Sequence, residues 1–91
     1  MTEITLNISD KIYITVSGHC KDSTLCSCIS TLVGALEGYL ANSNVKYGYT
    51  ERDGYCSFII PKGEQNAADM FIIGVLRLEK MFPKLISINN V

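Results

Sequence analysis

The chain has little net charge, no long apolar run and only one histidine, and each shortage argues against a class of function. Eight Lys and Arg residues against nine Asp and Glu residues give a formal net charge of −1. The basic residues are scattered and form no stripe, which argues against nucleic-acid binding. The apolar stretches are short and interrupted by charge, and no basic segment followed by an apolar run begins the chain. We therefore expect a cytoplasmic protein with neither a membrane span nor a signal peptide.

Cofactor chemistry also finds little support in the sequence. No glycine-rich phosphate loop and no dinucleotide-binding fingerprint is present. The carboxylates show no paired arrangement that stands out, and most are expected to be solvated. We expect no bound cofactor. The single histidine, His19, is the only possible base for a cysteine–histidine mechanism.

The 91 residues are enough for one domain of modest core size, residues 1–91. Alternation of apolar and polar residues predicts strands, which fall at residues 4–8, 11–17, 45–49, 55–60 and 85–88. Apolar residues at helical spacing predict helices over residues 25–41 and 65–82, with Ser23 or Thr24 capping the first. The order strand, strand, helix, strand, strand, helix, strand predicts a layered α+β domain.

His19 and Cys26 stand where a cysteine nucleophile can be built. His19 ends the second predicted strand, and Cys26 opens the first predicted helix seven residues later. A helix N-terminus favours the thiolate form of a cysteine, and a neighbouring imidazole can take or share the proton. Helical geometry places Cys28 within the apolar stripe of this helix and Cys26 at the edge of that stripe. We therefore expect Cys28 in the core and Cys26 facing a cleft.

Three other interpretations of these residues stay open. Free cysteines are often buried and a lone histidine at a strand end is often a surface residue, so both could be structural. Four potential zinc ligands also lie close together in the sequence, namely His19, Cys20, Cys26 and Cys28. Adjacent His-Cys and a Cys-x-Cys pair suit a single ion poorly, so we expect no metal site. Disulfides are possible with four cysteines, but a chain without a secretory signal is expected to stay reduced.

The amount and placement of apolar surface predict a homodimer. Hydrophobic residues make up 47% of the chain, which is more than a small monomer hides easily. Beyond the core stripe of the second helix, Ile72, Ile73 and Leu76 lie on its outer side. The first helix has a face of small residues, which comprises Ser27, Thr31, Gly34 and Gly38. Small side chains allow close approach either of the second helix or of a partner chain.

Several stretches of the chain follow the pattern of a known family. Ser17-Gly18-His19 ends the second predicted strand, and Cys26-x-x-x-Ser30-x-Leu32 opens the first helix. The segment Gly74–Lys84 ends the second helix with Leu-Glu and then Phe-Pro, and the turn Asp53-Gly54-Tyr55 also fits. In the order and spacing of these stretches, the chain resembles the ribosomal-processing cysteine protease family, Prp. The resemblance covers nearly the whole chain.

The resemblance implies a role for each matching residue. His19 would be the base, Cys26 the nucleophile, Gly18 a hinge beside the base, and Ser30 a supporting residue one turn below the thiol. It also implies a homodimeric cysteine endopeptidase that removes a short N-terminal extension from a ribosomal protein. Phage-related members would act on a capsid or scaffold protein.

A second function stays open beside the protease. The loop between His19 and Cys26 is shorter than in the family, and Ser23 stands where the family has an aspartate. An inactive relative that binds a peptide or a ribosomal partner is therefore the alternative.

Overall fold

The computed structural model of the chain describes residues 1–19 and 21–90. Within these residues it has five strands and two long helices, with a short 3₁₀ turn before the second helix. In chain order they are β1 (Thr2–Ile8), β2 (Lys11–Ser17), α1 (Ser23–Asn42), β3 (Gly48–Arg52), β4 (Tyr55–Pro61), the 3₁₀ turn (Lys62–Glu64), α2 (Gln65–Met81) and β5 (Ile86–Asn90). The predicted α+β class and order of strands and helices are confirmed.

The strands form one sheet in the order β3-β4-β2-β1-β5. Neighbouring strands are antiparallel except β1 and β5, which run parallel. At the centre, Ile14 of β2 pairs with Leu6 on one side and Phe58 on the other. At the end of β2, Ser17 pairs with Tyr55, so the segment that follows β2 lies beside the β3–β4 turn.

Both helices pack on the same face of the sheet, giving two layers with one core between them. Alternate residues of the strands point into this core, as period-two alternation predicts. The sheet contributes Ile4, Leu6, Ile12, Ile14, Val16, Cys56, Phe58, Ile60 and Ile86. The helices contribute Leu25, Ile29, Leu36, Leu40, Ala68, Phe71, Val75 and Leu78. The opposite face of the sheet is polar, with Thr5, Thr15 and Ser57 paired across three strands.

Two strands lie later in the chain than the sequence predicted. The third strand was predicted at residues 45–49 but lies at Gly48–Arg52, and the last begins at Ile86 rather than at residue 85. Residues 45–47 are held by side chains instead of by strand pairing. Val45 and Tyr47 pack against the core, and the Tyr47 hydroxyl donates a hydrogen bond of 2.5 Å to Glu37 on α1. Val45 and Tyr47 are apolar because they contact the helix layer. Alternation alone cannot distinguish this kind of contact from the inward-facing positions of a strand.

The predicted details of α1 also need correction. Asp22, not Ser23 or Thr24, is the N-cap, because its side chain accepts a hydrogen bond of 2.9 Å from the Leu25 N–H. Tyr39, although at helical spacing from the buried Leu36, is 52% exposed. Cys28 is half-buried against the core instead of fully within it.

The two helices approach each other at a glycine of α2. A Cβ on Gly74 would lie 2.8 and 2.9 Å from the two methyl carbons of Leu32, so only a glycine fits there without displacement. A Cβ on Gly34 or Gly38 would meet nothing within 4 Å. The helix–helix contact therefore does not use Gly34 or Gly38, whereas Ser27 and Thr31 border the groove between the two helices.

The length of α1 corrects one further expectation. By length and composition alone the helix could cross a membrane, whereas the apolar stretches of the sequence were expected to be too short and too interrupted by charge. Leu25 and Leu40, near its two ends, are completely buried in the core, and Leu36 is 5% exposed. These contacts account for its apolar character as that of a core helix.

Candidate active site

A cleft of about 440 Å³ lies between the N-terminal half of α1, the end of β2 and the β3–β4 hairpin. The floor of the cleft is formed by buried residues of the sheet and of α1, namely Thr2, Val16, Cys56 and Ile29. One wall is made by α1, which contributes Cys26 and Ser30. The facing wall is made by the hairpin from Tyr49 to Cys56.

His19 reaches this cleft because two glycines shape the backbone around it. Gly18 has a φ of +97°, a conformation that side-chain-bearing residues rarely adopt, and a Cβ there would clash with the Met1 carbonyl oxygen. The Gly18 N–H donates a hydrogen bond of 2.9 Å to the Gly54 carbonyl in the β3–β4 turn. The imidazole of His19 itself lies against Gly54 and is exposed.

Cys26 lies in the first turn of α1 with an exposed side chain. Its N–H donates a hydrogen bond of 3.0 Å to the Asp22 carbonyl, and the Leu25 N–H is bonded to the Asp22 side chain. Asp22 therefore orders the start of the helix, one turn before the thiol. The N–H groups of Ser23 and Thr24 have no partner within the helix, as is usual for the first turn.

All four residues that the sequence analysis assigned to the site line the same cleft, namely Gly18, His19, Cys26 and Ser30. The expected exposure of Cys26 is confirmed. Cys28 does not line this cleft; it borders a shallow groove between α1 and α2. The roles of base, nucleophile, hinge and support stay predictions.

The sequence analysis did not assign the hairpin wall to the site. Tyr49, Glu51 and Arg52 line the cleft, and no local signal marks them because they come from an edge strand some 25 residues beyond Cys26. The Tyr49 hydroxyl donates a hydrogen bond of 2.9 Å to Glu51, and the Arg52 guanidinium lies 4.6 Å from the centroid of the Tyr55 ring. Burial, followed by the hydrogen bond to Glu51, raises the pKa of Tyr49 well above its usual value. Tyr49 is thus a neutral hydrogen-bond donor at physiological pH.

Cys56 brings a second thiol to the floor of the cleft, although its side chain is only 8% exposed. Burial, with a contribution from the Glu51 carboxylate, raises the pKa of this thiol. A thiol that holds its proton is a poor nucleophile. The geometry therefore favours Cys26 over Cys56 as the reactive cysteine.

This difference predicts the order in which the thiols react. In the native protein at neutral pH, iodoacetamide should modify the exposed Cys26 faster than the buried Cys56, because burial both shields the Cys56 thiol from the reagent and raises its pKa. Peptide mapping by mass spectrometry at timed intervals measures both rates. The same reaction in guanidinium chloride is the control, where the rates should converge. Equal native rates would contradict the assignment.

Zinc finds no support in the described part of the chain. Among residues 1–19 and 21–90, no three His, Cys, Asp or Glu side chains form a group that could hold a metal ion. Cys26, Cys28 and Cys56 are free thiols. Cys20, considered above as a zinc ligand, lies outside the described residues.

Neither a protein-family model nor a curated protein matches this chain. Solved structures do match it. The S. aureus ribosomal processing protease Prp, in complex with a covalently linked product peptide, superposes with a TM-score of 0.86 at 15% identity over 100% of both chains. The same protease in complex with a substrate peptide gives 0.85 at 12% identity, again over 100% of both chains.

A protein from Streptococcus mutans gives a TM-score of 0.74 at 19% identity, covering 100% of this chain and 94% of the other. Identities at this level establish architecture and not activity. The chain therefore has the fold of the ribosomal processing protease Prp.

Proposed function

We propose that this chain is a Prp-like cysteine endopeptidase that acts in the cytoplasm. The observation that carries the proposal is the cleft itself. It gathers the lone histidine, an exposed thiol at a helix start, and the Gly18 and Ser30 positions of the family pattern, within the Prp fold.

The chemistry follows that of other cysteine–histidine hydrolases. His19 takes the proton of the Cys26 thiol, and the thiolate adds to the scissile carbonyl carbon. The C–N bond then breaks while His19 gives its proton to the leaving amine, leaving a thioester on Cys26. Water, deprotonated by His19, attacks the thioester and releases the new carboxyl terminus and the thiol.

The oxyanion of the tetrahedral intermediates needs hydrogen-bond donors at the helix start. The N–H groups of Leu25 and Cys26 are already bonded to Asp22. We therefore assign this role to backbone N–H groups at the start of α1, whose first turn has donors without an acceptor within the helix. Asp22 contributes by fixing the first turn, which sets the direction of these donors.

The substrate is a short extended apolar segment of a ribosomal protein, or of a phage structural protein. The fold offers a strand edge for it. In the described sheet β3 pairs only with β4, and its residues Tyr49, Glu51 and Arg52 line the cleft. An extended peptide could add to this edge by backbone hydrogen bonds and bring its scissile bond to Cys26.

The test is incubation of the protein with peptides that copy the N-terminal extensions of ribosomal proteins and the N-termini of phage capsid and scaffold proteins. Mass spectrometry of the products should show one cut at a fixed bond in at least one of them. An equimolar scrambled peptide is the control. Cleavage at many unrelated bonds, or none in any peptide, would contradict a specific endopeptidase.

The alternative is a peptide-binding relative without protease activity. It is favoured by the short segment between His19 and Cys26, because the cleft is open and nothing described covers it. Binding of an intact peptide, combined with a Cys26 alkylation rate no faster than that of an ordinary exposed thiol, would support this function. Cleavage of the peptide would exclude it.

We also propose a homodimer built on the outer side of the helices. Ile73, Leu76 and Met70 are 61%, 44% and 74% exposed, which is unusual for large apolar residues on one helix. Ile73→Lys with Leu76→Lys should convert a dimer to a monomer in sedimentation velocity, because two charges would be buried in the interface. Ile59→Lys, on the opposite face of the sheet, is the matched control. A monomeric wild type at micromolar concentration would contradict the dimer.

A further inference from the structure

We propose that Gly54, in the β3–β4 turn, is a positioning residue for the His19 imidazole. This inference rests on the proposed function for what the imidazole does, but its geometry is independent of it. A Cβ built on Gly54 would lie 2.8 Å from both Cε1 and Nε2 of His19, and 3.5 Å from its Cδ2. The Cε1–Nε2 side of the ring therefore lies directly against the bare Cα of Gly54.

The backbone links the same two segments. The Gly54 carbonyl accepts the hydrogen bond from the Gly18 N–H at 2.9 Å, one residue before His19. On its other side, Gly18 is held against the Met1 carbonyl, which leaves no room for a Cβ. The peptide that carries His19 is therefore fixed between the N-terminal strand and the hairpin turn.

The ring has few other constraints. None of the side-chain hydrogen bonds found between described residues involves the His19 imidazole. His19 is also exposed, so core packing does not fix its rotamer. The contact with Gly54 therefore limits the movement of the imidazole toward the hairpin.

Glycine meets two separate requirements at this position. Its φ of +69° lies in the left-handed region, which asparagine also tolerates. The contact with His19 requires in addition that no Cβ be present, which asparagine cannot satisfy. Substitution by asparagine therefore keeps the turn and removes only the space for the ring.

The consequence for catalysis is a displacement of the base. A reacting group misplaced by about 1 Å can cost about 100-fold in rate. Gly54→Asn should therefore lower kcat by about 100-fold. Asn44→Ala is the control, since it places strain at another left-handed position, φ 60°, that does not line the cleft.

Two measurements decide the proposal. In the Cys26→Ala protein, NMR of the single histidine should show a nuclear Overhauser effect between the Gly54 α-protons and His19 Hε1. When Gly54→Asn is added to Cys26→Ala, the chemical shifts of the His19 ring should change. Neither needs activity, so a wild type that cuts no peptide would overturn the proposed function but not this inference. Absence of the Overhauser effect, unchanged ring signals, or wild-type kcat in Gly54→Asn would overturn the inference. The Overhauser effect needs no variant at Gly54, so a Gly54→Asn chain that fails to fold does not prevent the test.

Discussion

Cys26→Ala is expected to lower the rate of peptide cleavage by about 10⁴-fold or more, since loss of the nucleophile removes the covalent step itself. The exposed thiol in the first turn of α1 is the only described cysteine that combines exposure with a place in the cleft. The rate is measured on the peptide that the wild type cuts, by quantifying the product. Thermal unfolding should be nearly unchanged because the side chain is exposed.

Two variants serve as controls for the effect of Cys26→Ala. Cys28→Ala removes a thiol two residues away that lies outside the cleft, and Cys56→Ala removes the thiol on its floor. Both should retain cleavage within about tenfold, with any loss explained by packing. Cleavage that persists in Cys26→Ala, or disappears only in Cys56→Ala, would assign the nucleophile to another residue.

Phe58→Ala is expected to destabilise the fold by about 3–5 kcal/mol, which is the usual cost of removing a fully buried phenylalanine. The ring is 1% exposed and lies on β4, between the edge strand β3 and the central strand β2. Its centroid lies 4.8 Å from that of Tyr49 and 6.3 Å from that of Phe71, so it connects the edge strand to α2. Urea unfolding followed by circular dichroism measures the loss, and the melting temperature should fall by more than about 10 °C.

The neighbouring residue provides a matched control for Phe58→Ala. Ile59 lies in the same strand, points to the opposite face of the sheet and is 41% exposed. Ile59→Ala should cost no more than about 1 kcal/mol, because it changes strand propensity without opening a cavity. A similar loss of stability in both variants would contradict the difference in burial between the two faces of the sheet.

Much of the fold could be predicted because its patterns are local. Alternation in β1 and β2 follows from the opposite directions of successive strand side chains, and the stripe Phe71, Val75 and Leu78 follows from the helical repeat. Prediction was weaker for β3, since an edge strand has fewer buried positions and its pattern is less distinct. The capping residue of α1 was missed because Asp22, Ser23 and Thr24 are all suitable caps.

In the candidate site, too, the local features could be predicted from the sequence and the long-range contacts could not. The sequence by itself determined that one imidazole follows a strand and that Cys26 begins a helix with its side chain away from the core, because helical geometry fixes both faces of a helix. Only the tertiary structure decided that the β3–β4 hairpin forms the facing wall and that Gly54 contacts His19, 35 residues earlier. That contact depends on the pairing of β2 with β4, a long-range choice that no local pattern encodes.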